Sequence, residues 1–110
     1  MTRFVVMLGF LLGTGNVFAD DTADIYKQRC KGCHGEDGKA QTKIGRAEKI
    51  DDFTSVEWQS KLSDEQIRNV IENGSDENSK MKPFKDKLTP EEISGLVKHI
   101  RNFKAKKTSK

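Results

Sequence analysis

The most regular hydrophobic pattern of the chain lies near its C-terminal end. Apolar residues recur there at spacings of three and four, which is typical of an amphipathic helix. They are Ile93, Leu96, Val97, Ile100 and Phe103. Thr89 precedes this stripe and is answered by Glu92, as in a capping box, while Pro90 occupies the favoured first helical position. The sequence therefore predicts a helix that begins after Thr89.

A second capping box predicts a short helix in the middle of the chain. Thr54 is followed by Glu57 three residues later, which is the spacing at which each side chain can bond the other's backbone N–H. The predicted helix contains Trp58 and Leu62.

The next helix is predicted to open at Ser63, which is answered by Gln66. Its apolar face is predicted to consist of Ile67, Val70 and Ile71. Gly74 follows, and glycine is the residue that most often ends a helix. We therefore expect this helix to stop at Gly74.

Residues 35–53 lack a helical or strand period and are rich in charged and small residues. Their large apolar side chains are Ile44, Ile50 and Phe53. A loop of this length is uncommon in a compact domain. We expect it to wrap a large flat ligand instead of packing on itself.

The chain before this loop is predicted to be helical. Ile25 and Tyr26 lead to Cys30 at helical spacing, and Asp21 or Thr22 can cap the helix. The sequence contains no strand pattern and no internal repeat. We therefore predict an all-α fold of four or five short helices joined by long loops.

The first 19 residues have the features of a secretory signal peptide. Arg3 provides a basic start, residues 4–12 form an apolar run, and Val17-Phe18-Ala19 has the small-x-small character of a cleavage site. The run is short for a membrane span, and an uncleaved anchor is the alternative. We predict a signal peptide over 1–19 and one exported domain over 20–110, without stable membrane insertion after cleavage.

The charge of the chain does not point to nucleic acid. The 20 basic and 17 acidic residues give a formal net charge of +3, and removal of Arg3 with the signal peptide leaves 19 against 17, or +2. A nucleic-acid-binding domain normally has a much stronger basic bias. We expect a monomer that binds no nucleic acid.

The chemistry of the chain centres on the segment Cys30-Lys31-Gly32-Cys33-His34. Two cysteines three apart, followed directly by histidine, are the attachment signature of a c-type haem. On a helical turn these positions share one face, so both sulfurs can reach the vinyl groups at one porphyrin edge. His34 is then the proximal iron ligand, and Gly32, which has no Cβ, lets the porphyrin approach the backbone.

Two other interpretations of the cysteines remain open. In an oxidising compartment Cys30 and Cys33 could form a disulfide, although a thioredoxin-like C-x-x-C normally accompanies a βαβ pattern. A zinc site needs four ligands, and only the two cysteines, His34 and the distant His99 are available. We favour haem, whose apolar bulk would complete a core that is too small to be stable alone.

A methionine supplies the second axial ligand in this interpretation. After loss of the signal peptide, Met81 is the only methionine of the domain. It lies in a polar loop between two helices, where core filling is a poor account of it and Pro83 restricts the backbone. A His34/Met81 pair raises the haem potential and favours electron transfer. His99 is the rival ligand, and packing is its more ordinary role.

Three segments of the chain resemble those of small bacterial class I monohaem cytochromes c. They are CKGCHG at 30–35, Met-x-Pro-Phe at 81–84 and LTPEEISGLVKHIRNF at 88–103. The resemblance implies a cytochrome c fold around one haem c bound covalently through the two cysteines. It also implies that the Trp58 N–H reaches a haem propionate, with packing as the alternative. The family often has an aromatic residue where this chain has His99, which bears on how tightly the first and last helices pack.

A His/Met haem has no open coordination position, so we predict a one-electron carrier and not an enzyme. The resemblance implies a soluble periplasmic protein that exchanges electrons with redox protein partners, namely a membrane donor complex and a terminal oxidase or reductase. Lysines that flank the ligand segments could steer an acidic partner: Lys27, Lys31, Lys80, Lys82 and Lys85. The alternative is a haem-based gas sensor or weak peroxidase in which the Met81 ligand is labile or absent.

Overall fold

The structure is a computed structural model that describes residues 17–78 and 80–103. This part of the chain is helical and contains no strands, which confirms the all-α prediction. A continuous helical stretch comprises α1 (Val17–Ile25), a π-helical turn (Tyr26–Cys30) and α2 (Lys31–His34), and is followed by α3 (Lys43–Ala47), α4 (Val56–Lys61), α5 (Asp64–Asn73) and α6 (Pro90–Asn102). Residues 1–16 of the predicted signal peptide lie outside the described residues, and none of the described helices has the length and apolarity needed to cross a bilayer.

The predicted start of the first helix is wrong. Helix α1 is already formed at Val17, so neither Asp21 nor Thr22 caps it. Thr22 is buried instead, where α1 crosses α6. A Cβ on Gly95 of α6 would clash with the Thr22 hydroxyl. The threonine therefore belongs to a close helix crossing, which only the tertiary structure creates.

The capping boxes of α5 and α6 are confirmed. Ser63 Oγ accepts from the Gln66 N–H at 3.0 Å, and the Gln66 side chain accepts from the Ser63 N–H at 2.8 Å. Thr89 and Glu92 make the same pair of bonds at 3.0 and 2.8 Å. Helix α5 ends before Gly74, as expected.

The capping box predicted at Thr54 does not form, and the cap of α4 lies one residue later. The cap is Ser55, whose hydroxyl accepts from the Trp58 N–H at 3.2 Å. Thr54 turns back instead and donates from its hydroxyl to the Asp52 carboxylate at 2.6 Å. Two adjacent hydroxyl residues offer the same local signal, and the preceding aspartate decides between them. Leu62 lies directly after α4 and not inside it.

The core forms where α6 packs against α1 and α5. Four residues of the predicted α6 stripe are buried, and Phe103 packs on them from the end of the helix. The buried cluster consists of Tyr26, Phe53, Trp58, Ile67, Ile71, Leu88, Ile93, Leu96, Val97 and Ile100. The predicted stripe is therefore the centre of the core.

Residues 35–53 are not helix-free, contrary to the sequence expectation. Helix α3 forms within them and is capped by Thr42, whose hydroxyl accepts from the Gly45 N–H at 2.8 Å. The same segment carries two non-glycine residues with positive φ, Ala40 at 58° and Lys49 at 55°. The turn geometry therefore folds this segment back onto the helical stretch that precedes it.

Arg101 joins α6 to the junction between α4 and α5. Its guanidinium donates to the carbonyl and side-chain oxygens of Gln59 at 2.8 and 2.9 Å, to the Leu62 carbonyl, and to the Asp64 carboxylate at 2.7 Å. Gln59 in turn donates to the Phe53 carbonyl at 2.7 Å. This network holds the segment that presents Phe53 to the predicted haem site.

Candidate haem-attachment site

The C-x-x-C-H segment lies on a helix, as its spacing predicts. Cys30 ends the π-helical turn, and Cys33 and His34 occupy the short helix α2. Both sulfurs are free, and both cysteines and His34 are partly buried. π-Helical turns often occur at functional sites, and this one ends at Cys30, the first residue of the cysteine pair.

Hydrogen bonds from outside the segment hold its carbonyl groups. The Thr42 hydroxyl donates to the Cys33 carbonyl at 2.8 Å, and the Ala40 N–H donates to the His34 carbonyl at 2.7 Å. The Tyr26 hydroxyl donates to the Gly35 carbonyl at 2.6 Å. The backbone of the attachment segment is therefore fixed on both sides of His34.

The surroundings of His34 fit a metal-ligating imidazole. Its Nδ1 is buried and has no hydrogen-bond partner in the described part of the chain. A buried polar atom without a partner costs about 1–3 kcal/mol. The imidazole is therefore suited to gain a bonding partner from a bound group. Burial also lowers the pKa of His34. The ring is therefore neutral at pH 7, which is the form that binds metals.

The Cys30 thiol does not have the character of a redox-active C-x-x-C. Burial, more than the neighbouring charges, raises its pKa to about 11. Thiols that exchange disulfides have lowered pKa values, because the thiolate is the reactive form. The raised pKa therefore disfavours a disulfide-exchanging pair, and residues 17–78 and 80–103 contain no cluster of three His, Cys, Asp or Glu side chains that would support zinc.

Gly32 leaves room beside the cysteines. A Cβ at this position would meet no atom within 4 Å. The polypeptide itself therefore does not need glycine here, in contrast to Gly45, where a Cβ would come within 2.9 Å of the Cys33 carbonyl oxygen. The open side of Gly32 fits the predicted approach of the porphyrin.

Met81 lies in the loop between α5 and α6, as predicted. Its side chain is partly buried and packs against the same hydrophobic core as Cys30. The core contact was not expected from the polar loop sequence. This contact places Met81 against the core that the attachment segment also contacts. Ligation of the iron by Met81 stays a prediction.

Backbone hydrogen bonds fasten this loop to the end of α5. The Ser75 N–H donates to the Met81 carbonyl at 3.2 Å, and the Phe84 N–H donates to the Ile71 carbonyl at 2.9 Å. Gly74, between these contacts, has φ 85° and ψ 174°, a region open essentially to glycine alone. The helix end and the ligand loop therefore form one unit.

Aromatic rings cover His34 on one side. Phe53 stacks on the imidazole with 4.7 Å between ring centroids, and Trp58 lies 4.7 Å from Phe53. Both aromatic residues are buried. Trp58 is thus part of the site, although its bond to a propionate stays a prediction. Sequence reasoning missed Phe53 as a neighbour of His34, and its only signal was a large apolar residue in a polar loop.

His99 packs between the first and last helical stretches. Its ring lies 4.6 Å from Tyr26 and 5.3 Å from Phe103, measured between centroids. Tyr26 and Phe103 also contact each other, with 5.6 Å between their ring centroids. The imidazole therefore fills the place that an aromatic residue takes in the resembled family. This position supports the packing role over the rival ligand role.

A single C-x-x-C-H turn in this helical fold defines a small c-type cytochrome with one covalently bound haem c. A family model described as "Cytochrome C oxidase, cbb3-type, subunit III" matches residues 18–100, and the chain belongs to this family.

Solved structures give the same class. The chain is similar to the KustC0563 c-type cytochrome, with 46% identity and a TM-score of 0.69 over 76% of this chain and 96% of that chain. It is also similar to a tyrosine-to-phenylalanine mutant of Kustc0563, with 44% identity and a TM-score of 0.67 over 76% of this chain and 98% of that chain. A comparison with curated proteins gave no match.

Proposed function

We propose that the protein is a soluble periplasmic one-electron carrier in which His34 and Met81 ligate the iron of the haem c. The observation behind this proposal is that Met81 packs on the same core as Cys30, in a loop fastened to α5. A methionine opposite histidine favours electron transfer over substrate chemistry. The bound haem supplies a reversible one-electron change at its iron.

The residues of the chain prepare the site for this change. Cys30 and Cys33 provide the two thioether attachments, and His34 provides a neutral imidazole. Phe53 and Trp58 exclude water from one side of that imidazole. Dry packing and outer contacts of this kind tune the potential of a metal site.

We propose redox proteins as partners, a membrane donor complex on one side and a terminal oxidase or reductase on the other. Five lysines flank the ligand segments in sequence, and all are exposed: Lys27, Lys31, Lys80, Lys82 and Lys85. Lys31 also approaches Glu36 at 3.9 Å. Redox contacts are small and short-lived, so charge would act mainly on the association rate.

The steering role can be tested by the rate of electron exchange with a purified acidic redox partner. We expect the association rate to fall as ionic strength rises, because salt screens exposed charges. A flat dependence would remove the steering proposal without affecting the axial ligands.

Visible spectroscopy and mass measurement of the exported protein test the axial pair. We expect a mass that includes covalent haem and a weak far-red sulfur-to-ferric-iron band. Met81→Ala should lose this band and lower the reduction potential, whereas the matched variant His99→Ala should keep both. If the unmodified protein lacks the band and only His99→Ala changes the absorption spectrum and the potential, the sixth ligand is His99, and a mass without haem would restore the disulfide interpretation.

Carbon monoxide distinguishes the carrier from the sensor or peroxidase. The reduced carrier should resist carbon monoxide at neutral pH, because Met81 occupies the sixth position. Ready binding by the unmodified protein would favour the alternative function.

A further inference from the structure

A side-chain hydrogen bond links the Met81 loop to the segment that follows α3. Asn78 donates from Nδ2 to Glu48 Oε1 at 3.3 Å, across 30 residues of sequence. Both residues are partly buried. The proposed electron transfer makes no direct use of this contact, and each of the two residues is bonded to a different part of the haem site.

Asn78 is connected directly to the backbone of Met81. Its carbonyl accepts from the Met81 N–H at 3.1 Å, and its side-chain Oδ1 accepts from the Lys80 N–H at 2.9 Å. Because Oδ1 is engaged by Lys80, the amide presents Nδ2 to Glu48. A movement of Asn78 therefore moves the backbone that carries the Met81 sulfur.

Glu48 is connected to the haem-attachment segment. Its N–H donates to the Ile44 carbonyl at 2.8 Å and closes α3. The cap of α3, Thr42, donates from its hydroxyl to the Cys33 carbonyl at 2.8 Å. Glu48 is thus held by the short helix that is bonded to the cysteine turn.

We infer that the Glu48–Asn78 hydrogen bond is a clasp that joins the haem-attachment segment to the ligand loop and keeps the Met81 sulfur on the iron. Both are positioning residues, because they act through the loop and not on the iron. The inference rests on the proposed function, since it takes Met81 as the sixth ligand. The clasp then sets how often the sixth position opens, and so how far the carrier behaves like a ligand-binding haem protein.

A ligand that competes with Met81 measures this opening. An external ligand binds only molecules in which the sulfur has left the iron, so its apparent affinity rises with the fraction of open molecules. Imidazole is a suitable probe, and the ferric holoprotein can be titrated with it by visible absorption. The far-red sulfur band reports the closed fraction in the same sample.

Asn78→Asp is the most selective variant. It keeps the Oδ1 acceptor for Lys80 but replaces the donor with a carboxylate that repels Glu48. Loss of a hydrogen bond to a charged group should tighten apparent imidazole binding by about tenfold and weaken the far-red band. Glu48→Ala should act in the same direction, and it tests the inference by itself if Asn78→Asp yields no holoprotein.

A double variant provides the matched control. Glu48→Gln combined with Asn78→Asp reverses donor and acceptor, so it should restore near-normal imidazole affinity. Glu77→Gln combined with Asn78→Asp has the same net charge, but the exposed Glu77 lies outside the clasp. This second double variant should therefore not restore the imidazole affinity.

The outcomes separate this inference from the proposed function. Equal rescue by both double variants, or unchanged imidazole affinity in Asn78→Asp or Glu48→Ala, would overturn the clasp while the far-red band of the unmodified protein still supports Met81. If that band is absent, or if Met81→Ala binds imidazole no more tightly than the unmodified protein, the proposed axial pair fails first.

Discussion

The Tyr26 hydroxyl donates a hydrogen bond of 2.6 Å to the carbonyl of Gly35, so one contact spans the entire C-x-x-C-H segment. Tyr26 is only 2% exposed. Burial raises the pKa of its phenol above the usual value, with smaller contributions from Cys30 and Asp37. The hydroxyl therefore remains a protonated donor over the working range and fixes both ends of the attachment turn.

Tyr26→Phe tests this contact. The ring keeps its packing against His99 and Phe103, while the donor is lost. Gly35 retains its second bond, from the Gly38 N–H at 3.1 Å, so we expect a modest loss of about 1 kcal/mol in the free energy of unfolding. Denaturant titration of the holoprotein measures it, and an unchanged value would show that the hydroxyl does not stabilise the turn.

Gly74→Ala should disturb the ligand loop. A Cβ at Gly74 would lie 2.9 Å from the Met81 carbonyl oxygen and 3.2 Å from the Pro83 nitrogen. Because the backbone conformation also disfavours alanine, we expect a cost of about 1–3 kcal/mol and a weaker far-red band. Asn73→Ala changes an exposed residue at the preceding position and should keep the band. An intact band in both variants would show that Gly74 does not set the position of Met81.

Arg101→Gln should destabilise the fold more than an ordinary surface change. The guanidinium holds Gln59, Leu62 and Asp64 at the α4–α5 junction, and its loss should reduce the free energy of unfolding by about 2 kcal/mol. Lys98→Gln removes the same charge from an exposed position on α6 and should change it little. Chemical unfolding of the two holoproteins measures the difference, and equal effects would contradict a structural role for the network.

His99 should make stability depend on pH. Burial lowers its pKa in the folded protein below the ordinary value, so the folded state disfavours the protonated ring. The associated stability is fully present above the pKa of the unfolded chain, about 6.5. It is lost as the pH falls from that value towards the lower pKa of the folded protein.

His99→Phe keeps an aromatic ring against Tyr26 and removes the titration. We expect its free energy of unfolding to fall less than that of the unmodified holoprotein between about pH 7 and pH 5. Unfolding curves at several pH values measure this difference. If the free energy of unfolding changes equally with pH in both proteins, His99 does not contribute to the pH dependence.

Removal of the haem should unfold the chain. The buried apolar cluster is small for a domain of this length, and domains of this size often need an added staple. We expect haem-free protein, or the variant with Cys30→Ala and Cys33→Ala, to have a largely unstructured far-UV circular dichroism spectrum. A cooperative unfolding transition in haem-free protein would contradict this.

Local signals were sufficient where one residue type had one good partner nearby. Ser63 and Thr89 each had a glutamine or glutamate three residues later, and both capping boxes formed. At the start of α4 the local signal was ambiguous, since Thr54 and Ser55 are adjacent hydroxyl residues. The Thr54 hydroxyl donates to the Asp52 carboxylate, so Ser55 is the cap.

Helix α3 could not be predicted from its local sequence. Thr42 and Gly45 are three residues apart in a segment without a hydrophobic period, so the periodicity on which the prediction relied gave no helix. The Thr42 hydroxyl caps α3 and at the same time donates to the Cys33 carbonyl. The helix is therefore stabilised by a tertiary contact that no local pattern contains.

Haem attachment could be predicted from the amino-acid sequence alone, because the spacing of Cys30, Cys33 and His34 is a local property of one helical turn. The helical class and the stripe of α6 could be predicted in the same way. The surroundings of the attachment site depend instead on long-range packing, which brings Phe53 to His34, Tyr26 to Gly35 and Glu48 to Asn78. These pairs are 9 to 30 residues apart in sequence, and they meet only because the packing of helices and loops closes the chain on itself.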